Sequence, residues 1–272
     1  MKTSRLTLGL LAAGTALFLT GLAGERAFRN GPPASPLSKS RAPDRIEVRR
    51  PREDVILETG EGRWRVERQG NDFADSEAVE SLLSGLRALA FGPAADDGAS
   101  ALAYGLGPAD STRVRVLDRS GSVLFDGRFG RRAFARSAWF RASDRDAIRL
   151  ASGLDADLLA RSSAEWRERR LLPGGCPEGL EFQRGKTWLK APEETAKELC
   201  ALKAARFADG ADEAVAGFDK PLLVARAADG RSFEVGDRRG GERLVRVAGR
   251  FALLRAPAGP LEAAAYLLRS MP

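Results

Sequence analysis

The chain has 272 residues, 43% of them hydrophobic and 30% charged, the balance of a folded protein with one large domain or two ordinary ones. It contains no histidine and two cysteines, which excludes Ser-His-Asp and Cys-His catalysis and any thiolate metal cluster within one chain. Its 44 basic and 37 acidic residues leave a net charge of +7, spread along the sequence with only 7% aromatics. That pattern describes a solvated arginine-rich surface and not a nucleic-acid footprint.

Lys2 and Arg5 precede the uncharged run Leu6–Gly24. Nineteen residues in a helix reach roughly 28 Å, enough for a bilayer core. Residues 1–24 are therefore expected to be an N-terminal membrane anchor, favoured over a cleaved signal because the run is long and Glu25-Arg26 follow it closely. Arg26, Arg29, Lys39 and Arg41 after the span argue for a cytoplasmic body. A large C-terminal domain translocates largely regardless of charge, however, and the expectation is a single-pass inner-membrane protein with a periplasmic body. Residues 25–44, with NGPPASPLSKSRAPD at their end, read as a Pro/Ser-rich linker too polar to pack.

Beyond the linker, VILET (55–59) and RWRVE (63–67) flank Gly60-Glu61-Gly62 as a hairpin. Asp75 or Ser76 caps a helix whose Val79, Leu82, Leu83 and Leu86 share one face. After the turn LAYGLGPAD (102–110), the strands RVRVLD (113–118) and SVLFDG (122–127) pair around Ser120-Gly121, and AWFRAS (138–143) pairs with AIRLAS (147–152). A short helical stretch, 155–170, closes this half.

The second half repeats the order. LEFQRG and KTWLK (180–190) form a hairpin at Gly185, and Pro192 opens a helix with Glu193 and Glu194 in its positive first turn. After AVAGFDKPL (214–222), LLVARA (222–227) and RSFEVG (231–236) pair around Asp229-Gly230, RLVRVA (243–248) and RFALLRA (250–256) turn at Gly249, and LEAAAYLLRS (261–270) is helical. LRALAF (86–91) corresponds to LKAARF (202–207), Trp64 to Trp188, Gly105 to Gly217, Gly121 to Gly230, Gly127 to Gly236 and Arg141 to Arg246. The expected fold is α+β: two tandem repeats, residues 45–172 and 173–272, each an antiparallel sheet of hairpins with one packed helix.

These features resemble the bacterial family known as domain of unknown function 4340: a single N-terminal span, a Trp on the second strand, YGL or GFDKP before a strand, and WRERRLL (166–172) at the end of the first unit. The resemblance covers roughly residues 45–272. WLKAP (188–192) and GFDKP (217–221) carry it in the second half, whereas the first half lacks a Pro after Trp64 and has Gly107 in place of the Asp. It implies a membrane-anchored envelope protein acting beside ABC-type export systems, including gliding-motility-type ones, and it transfers no catalytic residue.

The remaining candidates read as structure. Gly105 with Pro108, and Gly217 with Pro221, each lead into a strand and not a helix N-terminus, so they are turn residues rather than a phosphate cradle. Trp64 and Trp188 are expected core anchors. Asp144/Asp146 and Asp155/Asp157 lack the further oxygen ligands of a cation site. Cys176 and Cys200 would close a 25-residue loop as a disulfide worth about 3 kcal/mol, the alternative being two reduced thiols. No catalytic, cofactor or metal site is expected. The function expected is a non-enzymatic accessory or scaffold of the envelope, associated with ABC-type transporter subunits. The alternatives are a binding module for a glycan or other envelope polymer through sheet faces and exposed Arg, and a carboxylate-dependent hydrolase.

Overall fold

The computed structural model describes residue 37 and residues 41–67, 71–95, 100–134, 136–173, 179–210 and 216–271. The expected anchor lies outside the described residues; among them no helix is long and apolar enough to cross a membrane. The described residues are β-rich, with two antiparallel sheets and few helices, α+β or mainly β in class.

It divides into two compact units, one comprising the chain up to Ile56 with Glu80–Arg161, the other Leu57–Val79 with Ser162–Pro272. The division does not fall at residue 172. Segments 57–79 and 162–172 go with the second unit because Asp72, Arg167 and Arg250 lock together there, as described below.

In the first unit the sheet is ordered β2 (Asp54–Gly60), β1 (Arg45–Arg49), β6 (Thr112–Leu117), β7 (Val123–Phe134), β8 (Ser137–Ala142), β9 (Arg149–Ser152) and β5 (Ala90–Ala94). The helix α1 (Ser76–Arg87) begins where Asp75 accepts hydrogen bonds from the amides of Glu77 and Ala78, and it buries Leu82, Leu83 and Leu86. The inner face of the sheet is aromatic: Phe140 meets Phe91, Phe125 and Phe129 at ring-centre distances of 5.1, 6.0 and 5.1 Å. Gly127 is small because a Cβ there would collide with the Phe140 ring. The linker's end does pack: Leu37 is buried, and the Asp44 amide donates to the Leu117 carbonyl at 2.9 Å.

In the second unit, β3 (Arg63–Val66) and β4 (Asp72–Phe73) continue from the end of β2 through a turn with left-handed φ at both Glu61 and Gly62. Its sheet is ordered β11 (Thr187–Lys190), β10 (Leu180–Arg184), β13 (Leu223–Ala227), β14 (Ser232–Arg239), β15 (Glu242–Val247), β16 (Leu254–Pro257) and β12 (Arg206–Phe207). A short helix α2 (Ala156–Ala160) follows β9 in the first unit; in the second, α3 (Glu193–Ala201) precedes β12 and α4 (Ala258–Ser270) follows β16. Instead of one packed helix, α3 and α4 both share the core, Leu199 and Leu261 lying with Phe182, Phe233, Val235 and Leu254. Burying each such apolar side chain contributes about 1.5–3 kcal/mol.

The first sheet has nine strands, β3 and β4 lying beyond β2, and its other seven follow the order of the second: β2-β1-β6-β7-β8-β9-β5 against β11-β10-β13-β14-β15-β16-β12. The joint before the central hairpin is also the same. Gly105 and Gly217 both adopt left-handed φ, of 68° and 76°. A Cβ on Gly130 would strike the Tyr104 carbonyl, and one on Gly236 would strike the Ala216 carbonyl, to which the Asp237 amide donates at 2.8 Å. The partner of Gly236 is therefore Gly130 and not Gly127. Trp64 sits on β3, which has no counterpart in the second sheet, so it does not correspond to Trp188 on β11.

Candidate anion-binding face

Alternation along a strand sends every second side chain to one face. On β1 this places Arg45, Glu47 and Arg49 together, on β6 Arg113 and Arg115, on β7 Asp126 and Arg128, and on β8 Trp139 and Arg141. Register then decides what meets what. Arg49 lies opposite Arg113, Arg113 opposite Arg128, and Arg128 opposite Arg141. Four arginines thus form one row across four adjacent strands, spanning about 14–15 Å at the usual strand spacing.

The neighbouring row is mixed. Glu47 lies opposite Arg115, and Arg115 opposite Asp126. Glu47 accepts from Arg45 Nε at 3.2 Å, Arg49 Nη2 at 2.9 Å and Arg115 Nη1 at 3.2 Å. Burial raises its carboxyl pKa, but the Arg45 hydrogen bond and the charges of Arg49, Arg115 and Arg45 together outweigh this and hold it below the ordinary value. Asp126 takes both donors of Arg113, at 2.9 and 2.6 Å, and the Ser143 hydroxyl at 2.7 Å. Its pKa is lowered in the same way, the donors and charges overcoming its burial.

Two carboxylates cannot neutralise six arginines. Among the described residues Arg128 reaches only the Ser111 hydroxyl, at 3.4 Å, and Arg141 has no side-chain hydrogen bond or ion pair. Like charges directly opposite one another destabilise a sheet. Asp126 compensates Arg113, but among the described residues nothing on the face compensates Arg128 or Arg141, so their positive potential is directed outward.

An aromatic pair borders this row. Tyr104, the last residue of the 3-10 turn Ala101–Tyr104, sets its ring 4.3 Å from that of Trp139, tilted by 58°. Both are half-buried. The turn reaches β7 because Gly130 lets the Tyr104 carbonyl approach, so the expected structural joint at Gly105 forms the margin of the site. Pro108 follows it in the loop before β6.

The other candidates are already satisfied. A cavity of about 570 Å³ in the first unit has a floor of Phe129, Ala138 and Leu159, but its Arg50 pairs with Glu53 at 2.6 Å and its Arg132 with Asp157 at 2.8 Å. In the second unit, Asp72 and Arg250 are fully buried at the side chain, and Arg167 is 1% exposed. Asp72 accepts from Arg250 Nε and Nη2, both at 2.8 Å, and from Arg167 Nε at 3.0 Å, while Arg167 grips Asp209 with two bonds and lies 3.6 Å over the Phe207 ring. This closed network holds 72–73, 162–170 and the β15–β16 turn together.

Trp64 is buried, whereas Trp188 is half-buried beneath the Arg226 guanidinium, 3.9 Å from its ring centre. Gly217 and Pro221 precede β13. Asp155 caps α2 and Asp157 pairs with Arg132. Cys200 is buried on α3 and disulfide-bonded, and Cys176 lies outside the described residues. Among the described residues, no three His, Cys, Asp or Glu side chains gather as a metal site. The sequence reading missed Arg49, Arg113, Arg128, Arg141, Trp139 and Tyr104 as a set. Alternation in RIEVR and RVRV signals their faces, but only the cross-strand register joins them.

No family model matches the chain, and no curated protein and no solved structure matches it.

Proposed function

We propose that this protein is a non-enzymatic, duplicated α+β binding module that holds an anionic polymer against the outer face of its first sheet. The observation that carries this reading is the row Arg49–Arg113–Arg128–Arg141, in which Arg128 and Arg141 have no acidic partner among the described residues. Guanidinium groups suit the purpose, since each is permanently charged and grips a carboxylate, sulfate or phosphate with paired donors. The duplication rests on the matching strand orders and on the joints Gly105–Gly130 and Gly217–Gly236.

The apolar run of residues 6–24 supports an anchored protein tethered by residues 25–44, and a body of this size translocates largely regardless of flanking charge, which favours its lying outside the cytoplasm. There the family resemblance supports an accessory scaffold role beside an ABC-type exporter, and the arginine row is the surface that would retain an anionic envelope polymer.

The test is a titration of the full-length chain with dextran sulfate against uncharged dextran at several salt concentrations. Binding of dextran sulfate alone, with a slope of log K on log salt that falls by about one unit for each arginine removed from the row, is expected. Equal binding of both polymers, or a slope unchanged by Arg128→Ala and Arg141→Ala, refutes the reading.

A further inference from the structure

Building on that reading, we infer that the polymer is an acidic polysaccharide, and that Trp139 and Tyr104 select it by packing against a sugar ring whose anionic neighbour is held by Arg141 and Arg128. Trp139 and Arg141 lie two residues apart on the same face of β8, so their Cα atoms are separated by about 6.6 Å. One charged sugar unit spans that separation, placing a ring on the indole and its acid group on the guanidinium. Aromatic rings supply contact area to the apolar face of a sugar with little loss of side-chain freedom, and they leave the hydroxyl edges in water.

The geometry favours sugars over the other common polyanions. Single-stranded nucleic acid is held by successive aromatic platforms interleaved with positive charge. Here the aromatics stop at one tilted pair at one end of the row, and the next three positions across the strands, Arg128, Arg113 and Arg49, are all arginine. A polyphosphate would use the arginines and gain nothing from the indole. The Tyr104–Trp139 pair is also held deliberately: Tyr104 approaches β7 only because Gly130 has no side chain, and Gly105 turns the chain with a φ of 68° immediately after it. In the second unit the same joint carries Ala216 where Tyr104 stands, and Leu244 stands two residues before Arg246, so the repeat supplies no such pair.

The experiment compares polygalacturonate, inorganic polyphosphate and single-stranded DNA as ligands for the full-length chain and its Trp139→Ala, Trp139→Phe and Arg141→Ala variants. Folding of each is checked by circular dichroism. The expected result is that Trp139→Ala weakens polygalacturonate about three- to tenfold and leaves polyphosphate unchanged. Trp139→Phe restores most of the loss, and Arg141→Ala weakens both polyanions. If Trp139→Ala weakens neither ligand or both equally, or if polyphosphate or DNA binds as tightly as polygalacturonate, the sugar assignment is overturned while the anionic-polymer reading stands. If none of the three binds, both fail.

Discussion

The two sheets share a seven-strand order but differ in charge on corresponding faces, uniformly positive along one line of the first and balanced in the second. In the first, the line through Arg113, Arg128 and Arg141 is all positive. The corresponding line in the second is Val224, Glu234 and Arg246, and there Arg246 donates to Glu234 at 2.6 Å. The next line pairs Glu181 with Arg226 at 2.8 Å. Only the arginine at 141 and 246 is common to both. The fold therefore does not require the arginine row, because the second sheet keeps the same seven-strand order without it. Arg246 and Arg226 in the second unit each meet an acidic partner, whereas among the described residues Arg128 and Arg141 in the first meet none.

The sharpest contrast lies between the buried arginines of the second unit and the outward ones of the first. Replacing Asp72 with Ala leaves Arg167 and Arg250 buried without their shared carboxylate, and should destabilise the protein by about 3–5 kcal/mol in denaturant unfolding. Affinity of the still-folded protein for dextran sulfate should not change. A stability loss under about 1 kcal/mol would mean that the buried network does not hold segment 57–79 in place.

The paired joints give a second, smaller separation. Gly130→Ala and Gly236→Ala each force a Cβ onto a backbone carbonyl, and each should cost about 1–3 kcal/mol. Gly130→Ala should also weaken polygalacturonate binding, because it displaces Tyr104 from beside Trp139, whereas Gly236→Ala should leave that binding intact. Equal effects of the two on affinity would show that the loss is one of general stability.

Much of this fold is legible in the sequence where local chemistry decides it. The hairpins at Gly62, Gly121, Gly185 and Gly230 combine alternating apolar residues with a glycine at positive φ, and each falls where the pattern places it. The strands β5 and β12 are not legible: AFGPA carries a Gly-Pro, RF is two residues long, and both exist because they pair with the far edge strands β9 and β16. Pro192 stands one residue before the helix, as its N-cap and not its first residue. The candidate site was half visible. RIEVR and RVRV announce charged faces, but charge counts average over faces, and the excess looked scattered until the register aligned Arg49, Arg113, Arg128 and Arg141.

Because the row opposes like charges, shortening it should help the fold while harming the function. Arg128→Thr removes two of its three like-charge neighbour pairs with a good strand former, and should raise stability by a few tenths of a kcal/mol. The same change should weaken dextran sulfate binding several-fold. Loss of stability instead would mean that Arg128 serves the fold through Ser111, and the contrast between the two faces would lose its functional meaning.

Acidification separates the units by the smallest effect. Glu168 in the second unit is buried, and burial raises its pKa above the ordinary value. Its contribution to stability is therefore full below the unfolded value and is lost as pH rises through the folded one. Glu47 and Asp126 in the first unit are shifted the other way, so their stabilisation holds above their unfolded values and is lost only as pH falls through the lower folded ones. On titrating down from neutrality, Glu168 protonates first and relieves the second unit; Glu47 and Asp126 follow and release Arg45, Arg49, Arg113 and Arg115. Dextran sulfate stays ionised throughout, so its affinity should rise modestly as the pH falls below the ordinary carboxylate range, where Glu47 and Asp126 take up protons. Glu47→Gln should shift that rise to higher affinity at neutral pH, since it removes one of the two negative charges on the face. An affinity that is flat from neutrality to the onset of acid unfolding, and unchanged by Glu47→Gln, would mean that these arginines do not meet the ligand and that any binding lies elsewhere on the chain.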